Sequence, residues 1–114
     1  MNLTSVQSQT LISVKNQIEA HGYARVTDVA KELDCSKATV TMQLKRLDGL
    51  GLVRAEKYMG IVLTLKGVKE ASEVLKRLKT AESFLKSLKV SEKSIKADRW
   101  TLICDMSEDF LSRI

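Results

Sequence analysis

The sequence has no proline, one histidine and two cysteines in 114 residues, and each scarcity removes a class of protein. Without proline or any low-complexity stretch there is no linker, and no internal repeat is present. A chain of this length forms one compact domain, or a small domain with a helical appendage. Cys35 and Cys104 make no CxxC pair, so neither a zinc site nor a disulfide framework is indicated. Both are expected to be small buried side chains, although the place of Cys35 just before a helix N-terminus would favour a thiolate and so a thiol switch. His21 has no evident partner, and no Ser/His/Asp or Cys/His constellation, phosphate-binding glycine loop or metal-ligand cluster is present. An enzyme is therefore not expected. No apolar run approaches membrane-spanning length, and the stretch from Met1 to Gln7 lacks a basic region followed by an apolar run. The expectation is a soluble, cytoplasmic protein with no signal peptide and no membrane partner.

What is present is a globular composition, 44% hydrophobic, with a formal net charge of +5 and a pI near 9.3. Such a balance favours a polyanionic partner through neutralised phosphates and released counterions, although charge alone is weak support. The pattern from Arg25 to Leu65 is more specific. Val26, Val29, Ala30 and Leu33 fall at helical spacing and predict a short supporting helix. Asp34-Cys35-Ser36 interrupts it, and Ser36 is suited to cap a second helix starting at Lys37. The apolar stripe of that helix is Val40, Leu44 and Leu47, so at 100° per residue Ala38, Met42 and Lys45 point away, flanked by Thr39, Thr41 and Arg46. A small, hydroxylated and basic outer face is what a helix lying in a DNA major groove requires. The plainer alternative is a helical hairpin with a solvated charged face.

The segment that follows favours the first reading. Gly49 to Gly51 ends the helix, Leu52 to Lys57 reads as a strand, Tyr58-Met59-Gly60 as a turn and Ile61-Val62-Leu63 as a returning strand. Two short strands after a recognition-type helix form a wing, whose tip carries Lys57 and Tyr58 where a phosphate or minor groove would lie. Helices are also predicted over Leu3 to Ala20, with Val6, Leu11, Val14 and Ile18 inward and an end at His21-Gly22, and after Thr64. The latter helix should turn Leu65, Val68, Ala71, Leu75, Leu78, Leu85 and Leu88 inward, a stripe suited to a helical partner, with its lysines solvated. Ser91 and Ser107 are suited to cap two further helices, the first bearing Ile95, Leu102 and Ile103, the second Phe110, Leu111 and Ile114. The fold class is mainly α with a small β-wing: a winged helix-turn-helix over residues 1–66, followed by a helical dimerisation region over 67–114.

At this point the chain resembles a known family. The segments from Gly22 to Ala30, Ala38-Thr39-Val40-Thr41, Leu47-Asp48 and Glu56 to Gly67 are similar to the diphtheria toxin repressor and manganese transport regulator family. The likeness continues more loosely through Glu82-Ser83-Phe84-Leu85 and Met106-Ser107-Glu108. It implies a homodimeric, metal-activated transcriptional repressor that binds palindromic operators and controls metal uptake. It also implies iron(II) or manganese(II) held by side chains of the first, fourth and fifth helices. Aligned without gaps, those positions hold Gln9 and Ile12, Leu78, and Trp100, Ile103 and Cys104, with Glu82 retained from an ancillary site. Apolar side chains cannot coordinate a cation, and hard cations want carboxylate, carbonyl and imidazole donors.

The resulting expectation is a homodimeric, sequence-specific DNA-binding regulator of the repressor type, with no cofactor and without the family's Fe2+ or Mn2+ activation. Its groove contacts would be Ser36, Lys37, Thr39, Thr41, Met42 and Lys45, and Arg46, Lys57 and Tyr58 would hold phosphates of a palindromic double-stranded operator. Two alternatives stay open: a metal-dependent repressor with a site rebuilt from Glu82, Asp98, Cys104 and Asp105, and a winged helix that serves as a protein-interaction scaffold.

Overall fold

The computed structural model describes residues 3–56 and 60–87, in the order α1 (Ser5–His21), α2 (Val26–Leu33), α3 (Lys37–Gly49), β1 (Val53–Glu56), β2 (Gly60–Leu63) and α4 (Leu65–Ser87). The mainly helical fold with a small antiparallel wing is the one the sequence predicts. The two further helices predicted after Ser91 and Ser107 lie outside the described residues, as does Leu88.

A reciprocal capping box starts α1: the Gln7 N–H donates to Thr4 Oγ1 (3.1 Å) and the Thr4 N–H to Gln7 Oε1 (2.9 Å). Gly22, in the left-handed region, ends the helix and donates its N–H to the Ile18 carbonyl. Because α1 touches α2, α3, α4 and β2, its middle is buried nearly all round, taking in Ser8, Thr10, Ser13 and Gln17 as well as Leu11 and Val14. Val6, expected inside, is 45% exposed, since it stands in the first turn before that crowded section. Among the buried polar groups, the Thr10 hydroxyl donates back to the Val6 carbonyl (2.7 Å). Ser13 Oγ, Asn16 Nδ2 and Gln17 Nε2 all donate to the Glu32 carboxylate of α2, at 2.7, 3.3 and 3.3 Å. One carboxylate thus ties α1 to α2.

The turn between α2 and α3 follows from Asp34, which adopts φ 53 and ψ 52, a conformation Asp tolerates better than most side chains. The Cys35 N–H returns to the Ala30 carbonyl, and Cys35 itself is exposed. The expectation of a buried Cys35 is corrected: the tight turn binds its backbone and leaves the thiol in solvent. Ser36 caps α3 as predicted, its hydroxyl accepting from the Thr39 N–H at 3.1 Å.

The wing pairs Val53 with Leu63, Arg54 with Val62, Ala55 with Ile61 and Glu56 with Gly60. A further bridge joins Ala24, in the α1–α2 connection, to Ile61 through both backbone hydrogen bonds (2.9 and 2.8 Å), so β2 is held on two sides. This approach requires glycine at position 60: φ is +94°, and a Cβ there would lie 2.7 Å from the Ala24 carbonyl oxygen.

Thr64 then caps α4, accepting the Gly67 N–H (3.0 Å) while its hydroxyl donates to the Gly51 carbonyl (2.5 Å). The inner face of α4 is Gly67, Ala71, Val74, Leu78 and Ala81. This corrects the predicted stripe: Leu65 is 86% and Val68 49% exposed, and Leu75 and Leu85 are only half-buried. The helix is rotated so that its small residues meet the α3–β1 turn, where Gly67 lies against the Leu52 backbone. Leu11, Val14, Val29, Val40, Leu44, Leu47, Leu52, Val74 and Leu78 share one continuous core, so α4 is packed into the winged helix as far as Ala81. Among the described residues no helix is long and apolar enough to cross a membrane.

Candidate nucleic-acid interface

The geometry of α3 follows from its inward residues. Val40, Gln43, Leu44 and Leu47 are buried, which leaves Lys37, Ala38, Thr41, Met42, Lys45 and Arg46 exposed and Thr39 half-buried. Ala38, Thr41, Met42, Lys45 and Arg46 line one shallow surface depression, so the small residue, the hydroxyl and the two cations face the same space. Ser36 shares a hydrogen bond with Thr39, the two hydroxyl oxygens lying 2.8 Å apart, so both hydroxyls are engaged at the start of the helix. Among the described residues neither Lys37, Lys45 nor Arg46 is in an ion pair. Unneutralised cations beside a small, hydroxylated surface can meet phosphates and base edges at once.

The wing stands directly beside this face. Val26, Thr41, Leu44, Lys45, Asp48, Val53, Ala55 and Ile61 line a crevice of about 150 Å³ between α2, α3 and the two strands. On β1, Arg54 is exposed and paired to Glu56 at 2.6 Å. Lys57 and Tyr58, the predicted wing-tip contacts, lie outside the described residues.

Sequence reasoning missed three features of this region. Gln43 is buried on α3, and among the described residues its Oε1 has no partner, where an apolar residue was the natural expectation. The Ala24–Ile61 bridge carries no signal in a one-residue stretch. The Arg25 guanidinium lies over the Tyr23 ring, 5.0 Å from its centroid, a contact visible only once the wing orders the connection.

The second predicted region is a cleft between α1 and α4. Ile12, Leu75 and Leu78 form its apolar part, with Asn16, Ser72, Lys76, Lys79 and Glu82 around it. Gln9 is turned to its own helix, donating from Nε2 to Ser5 Oγ at 3.0 Å. Glu82 is the only carboxylate in the cleft, and among the described residues no three His, Cys, Asp or Glu side chains come together. By themselves, the donors that the described residues offer in this cleft do not fit iron(II) or manganese(II). Asp98, Cys104 and Asp105 lie outside the described residues.

Comparison with known proteins agrees with this geometry. The sequence pattern of the iron dependent repressor N-terminal DNA-binding domain matches residues 6–61, which run from α1 into β2. The HTH-type transcriptional regulator MntR of Listeria welshimeri is 42% identical over 60 residues, 53% of this chain and 42% of that protein. The chain belongs to the diphtheria toxin repressor and manganese transport regulator family. A second relative, MntR of Oceanobacillus iheyensis, is 41% identical over 64 residues, 56% of this chain and 44% of that protein. Either match spans less than half of the relative's length. The solved structure of the manganese regulator SloR matches with a TM-score of 0.80 over 99% of this chain and 52% of that one, at 23% identity, which shows the shared fold. Residues 6–61 are thus a DNA-binding domain of a transcriptional-regulator family, not of an enzyme family.

Proposed function

We propose that this protein is a sequence-specific transcriptional repressor that binds DNA as a homodimer and does so without iron or manganese. The observation that carries the reading is the outer face of α3: two hydroxyl-bearing residues, an exposed methionine, and lysines and an arginine in no ion pair among the described residues project from a helix whose opposite face is locked into the core. Each protomer would lay α3 in a major groove of a palindromic operator, with half-sites one or two helical turns apart, about 34 Å per turn. Lys37, Thr39, Thr41, Met42 and Lys45 would face bases, with Ser36 fixing the start of the helix, while Arg46, Lys57 and Tyr58 would hold phosphates. Residues 67–114 would supply the dimer contacts, and the site of action would be the cytoplasm, where the operator is.

The absence of metal control rests on the α1–α4 cleft. Ile12 and Leu78 offer no donor, and among the described residues Glu82 is the one carboxylate there, too few for a hard cation. DNA binding would then be either permanently competent or governed by another signal.

Selection of bound fragments from random DNA, run with and without manganese(II), tests binding, palindromic spacing and metal dependence together. The expected result is one palindromic sequence recovered equally well in both conditions. Enrichment only with metal, or stoichiometric metal binding tighter than about 10 μM, worth roughly 7 kcal/mol, would establish a rebuilt site. No salt-dependent DNA binding at all would leave the winged helix as a protein-interaction scaffold.

A further inference from the structure

We propose that Arg25, which lies over the Tyr23 ring beside the wing, is a DNA phosphate contact that the recognition-helix pattern does not include. The proposal rests on the DNA-binding reading above and adds a residue from outside α3 and the wing tip.

Position is the first argument. Ala24 is bonded in both directions to Ile61 of β2, so the Tyr23–Arg25 segment runs as a third line beside the wing. The Tyr23 ring lies against Gly60, where an added Cβ would come within 3.2 Å of Tyr23 Cδ2. Val26, the next residue along, lines the same crevice as Thr41 and Lys45 of α3 and as Ala55 and Ile61 of the wing. Arg25 is therefore flanked in sequence by Ala24, which is bonded to the wing, and by Val26, which lines the crevice between α3 and the wing.

Electrostatics is the second. Arg25 is exposed and in no ion pair among the described residues; Asp28, in the first turn of α2, does not pair with it. Arg25 also occupies the N-cap of α2 and makes no side-chain cap bond. Ser, Thr, Asp and Asn are the residues favoured there, and a cation stands at the positive end of the helix dipole. A local rule is broken in a way that an external anion would compensate.

Preorganisation is the third. A cation–π contact with Tyr23 restricts a long, rotamer-rich side chain before any phosphate arrives, and a guanidinium can take a phosphate oxygen pair.

The test uses the full chain and a mixed-sequence DNA duplex of about three helical turns, with affinity measured across a salt series. A phosphate contact acts on any sequence, so no operator is needed. Arg25→Ala should make the slope of log K against log salt shallower by about 0.9, so that between about 50 and 200 mM salt the variant loses roughly 3.5-fold less affinity than the parent. Tyr23→Leu keeps the charge and should lower affinity with the slope unchanged. Lys69→Ala removes one charge from an exposed position on α4, outside α3, the wing and the Tyr23–Arg25 segment, and should leave the slope as it was. Parental slope and affinity in Arg25→Ala, or an equal slope change in Lys69→Ala, overturns the Arg25 contact while DNA binding by the parent stands. If the parent chain itself shows no salt-dependent binding, the DNA-binding reading fails and Arg25 with it. Thermal melts of each variant confirm that the fold is retained.

Discussion

Gly67→Ala inverts the usual effect of its own substitution. In a helix interior, alanine is favoured over glycine by about 1 kcal/mol, so propensity alone predicts a more stable protein. At this position the new Cβ would stand 1.9 Å from the Leu52 carbonyl oxygen and 2.9 Å from its carbon, with Leu63 Cδ2 at 3.3 Å behind it. An ordinary carbon–oxygen contact needs about 3.3 Å, so α4 and the α3–β1 turn must separate by roughly 1.4 Å. Both obstructing atoms belong to backbone, which cannot rotate away as a side chain would. The separation strains the Thr64 N–H to Leu52 carbonyl bond (3.1 Å) and the Thr64 hydroxyl to Gly51 carbonyl bond (2.5 Å), each worth about 1 kcal/mol net. Overpacking adds about 1–3 kcal/mol. After the propensity gain is set against these, the variant should be less stable by about 3 kcal/mol. At about 4 °C per kcal/mol for a chain of this size, the melting temperature should fall by roughly 12 °C. Urea denaturation followed by far-UV circular dichroism gives the free energy, and a thermal scan the shift. DNA affinity should also drop, because Leu52 leads into β1 and the displaced turn carries the wing. A neutral or stabilised Gly67→Ala protein would refute the close approach of α4 to this turn and the rotation of its inner face that depends on it.

Three other substitutions or labels probe the remaining elements. Glu32→Ala removes the acceptor shared by Ser13, Asn16 and Gln17 and should cost about 2 kcal/mol in denaturant titration, since Ser13 and Gln17 are buried and would lose their partner; Glu32→Gln should recover part of it. Ser36→Ala deletes the cap that accepts from the Thr39 N–H and should lower stability by about 1 kcal/mol while loosening the first turn of α3, seen as faster amide exchange at Lys37 to Thr39. Cys35 should be alkylated by iodoacetamide in the native protein at the rate of an exposed thiol; protection until unfolding would contradict its place in the turn.

Much of the fold was legible because each of α1, α2 and α3 carries a local start or stop signal that works without the rest of the chain. The Thr4–Gln7 box was not read from the sequence, but Gly22, the Asp34 turn and the Ser36 cap act through bonds within four residues. The outer face of α3 was legible for the same reason: once Val40, Leu44 and Leu47 are inside, helical geometry alone sends Met42 and Lys45 outward. The stripe of α4 was not, because several arcs of that helix carry apolar residues and hydrophobicity does not rank them. Leu65 and Val68 look as suited to burial as Val74, yet the backbone of Leu52 admits only a face with glycine at 67.

Among the described residues, the sequence by itself determined which segments are helix and strand, and which side of the recognition helix is free, since these depend on short-range bonds and on periodicity. Only the tertiary structure decided the rotation of α4, the Glu32 tie between α1 and α2, and the juxtaposition of Arg25 and Tyr23 with the wing. Each of these depends on how closely two backbones distant in sequence can approach, and that distance is set by the packed core.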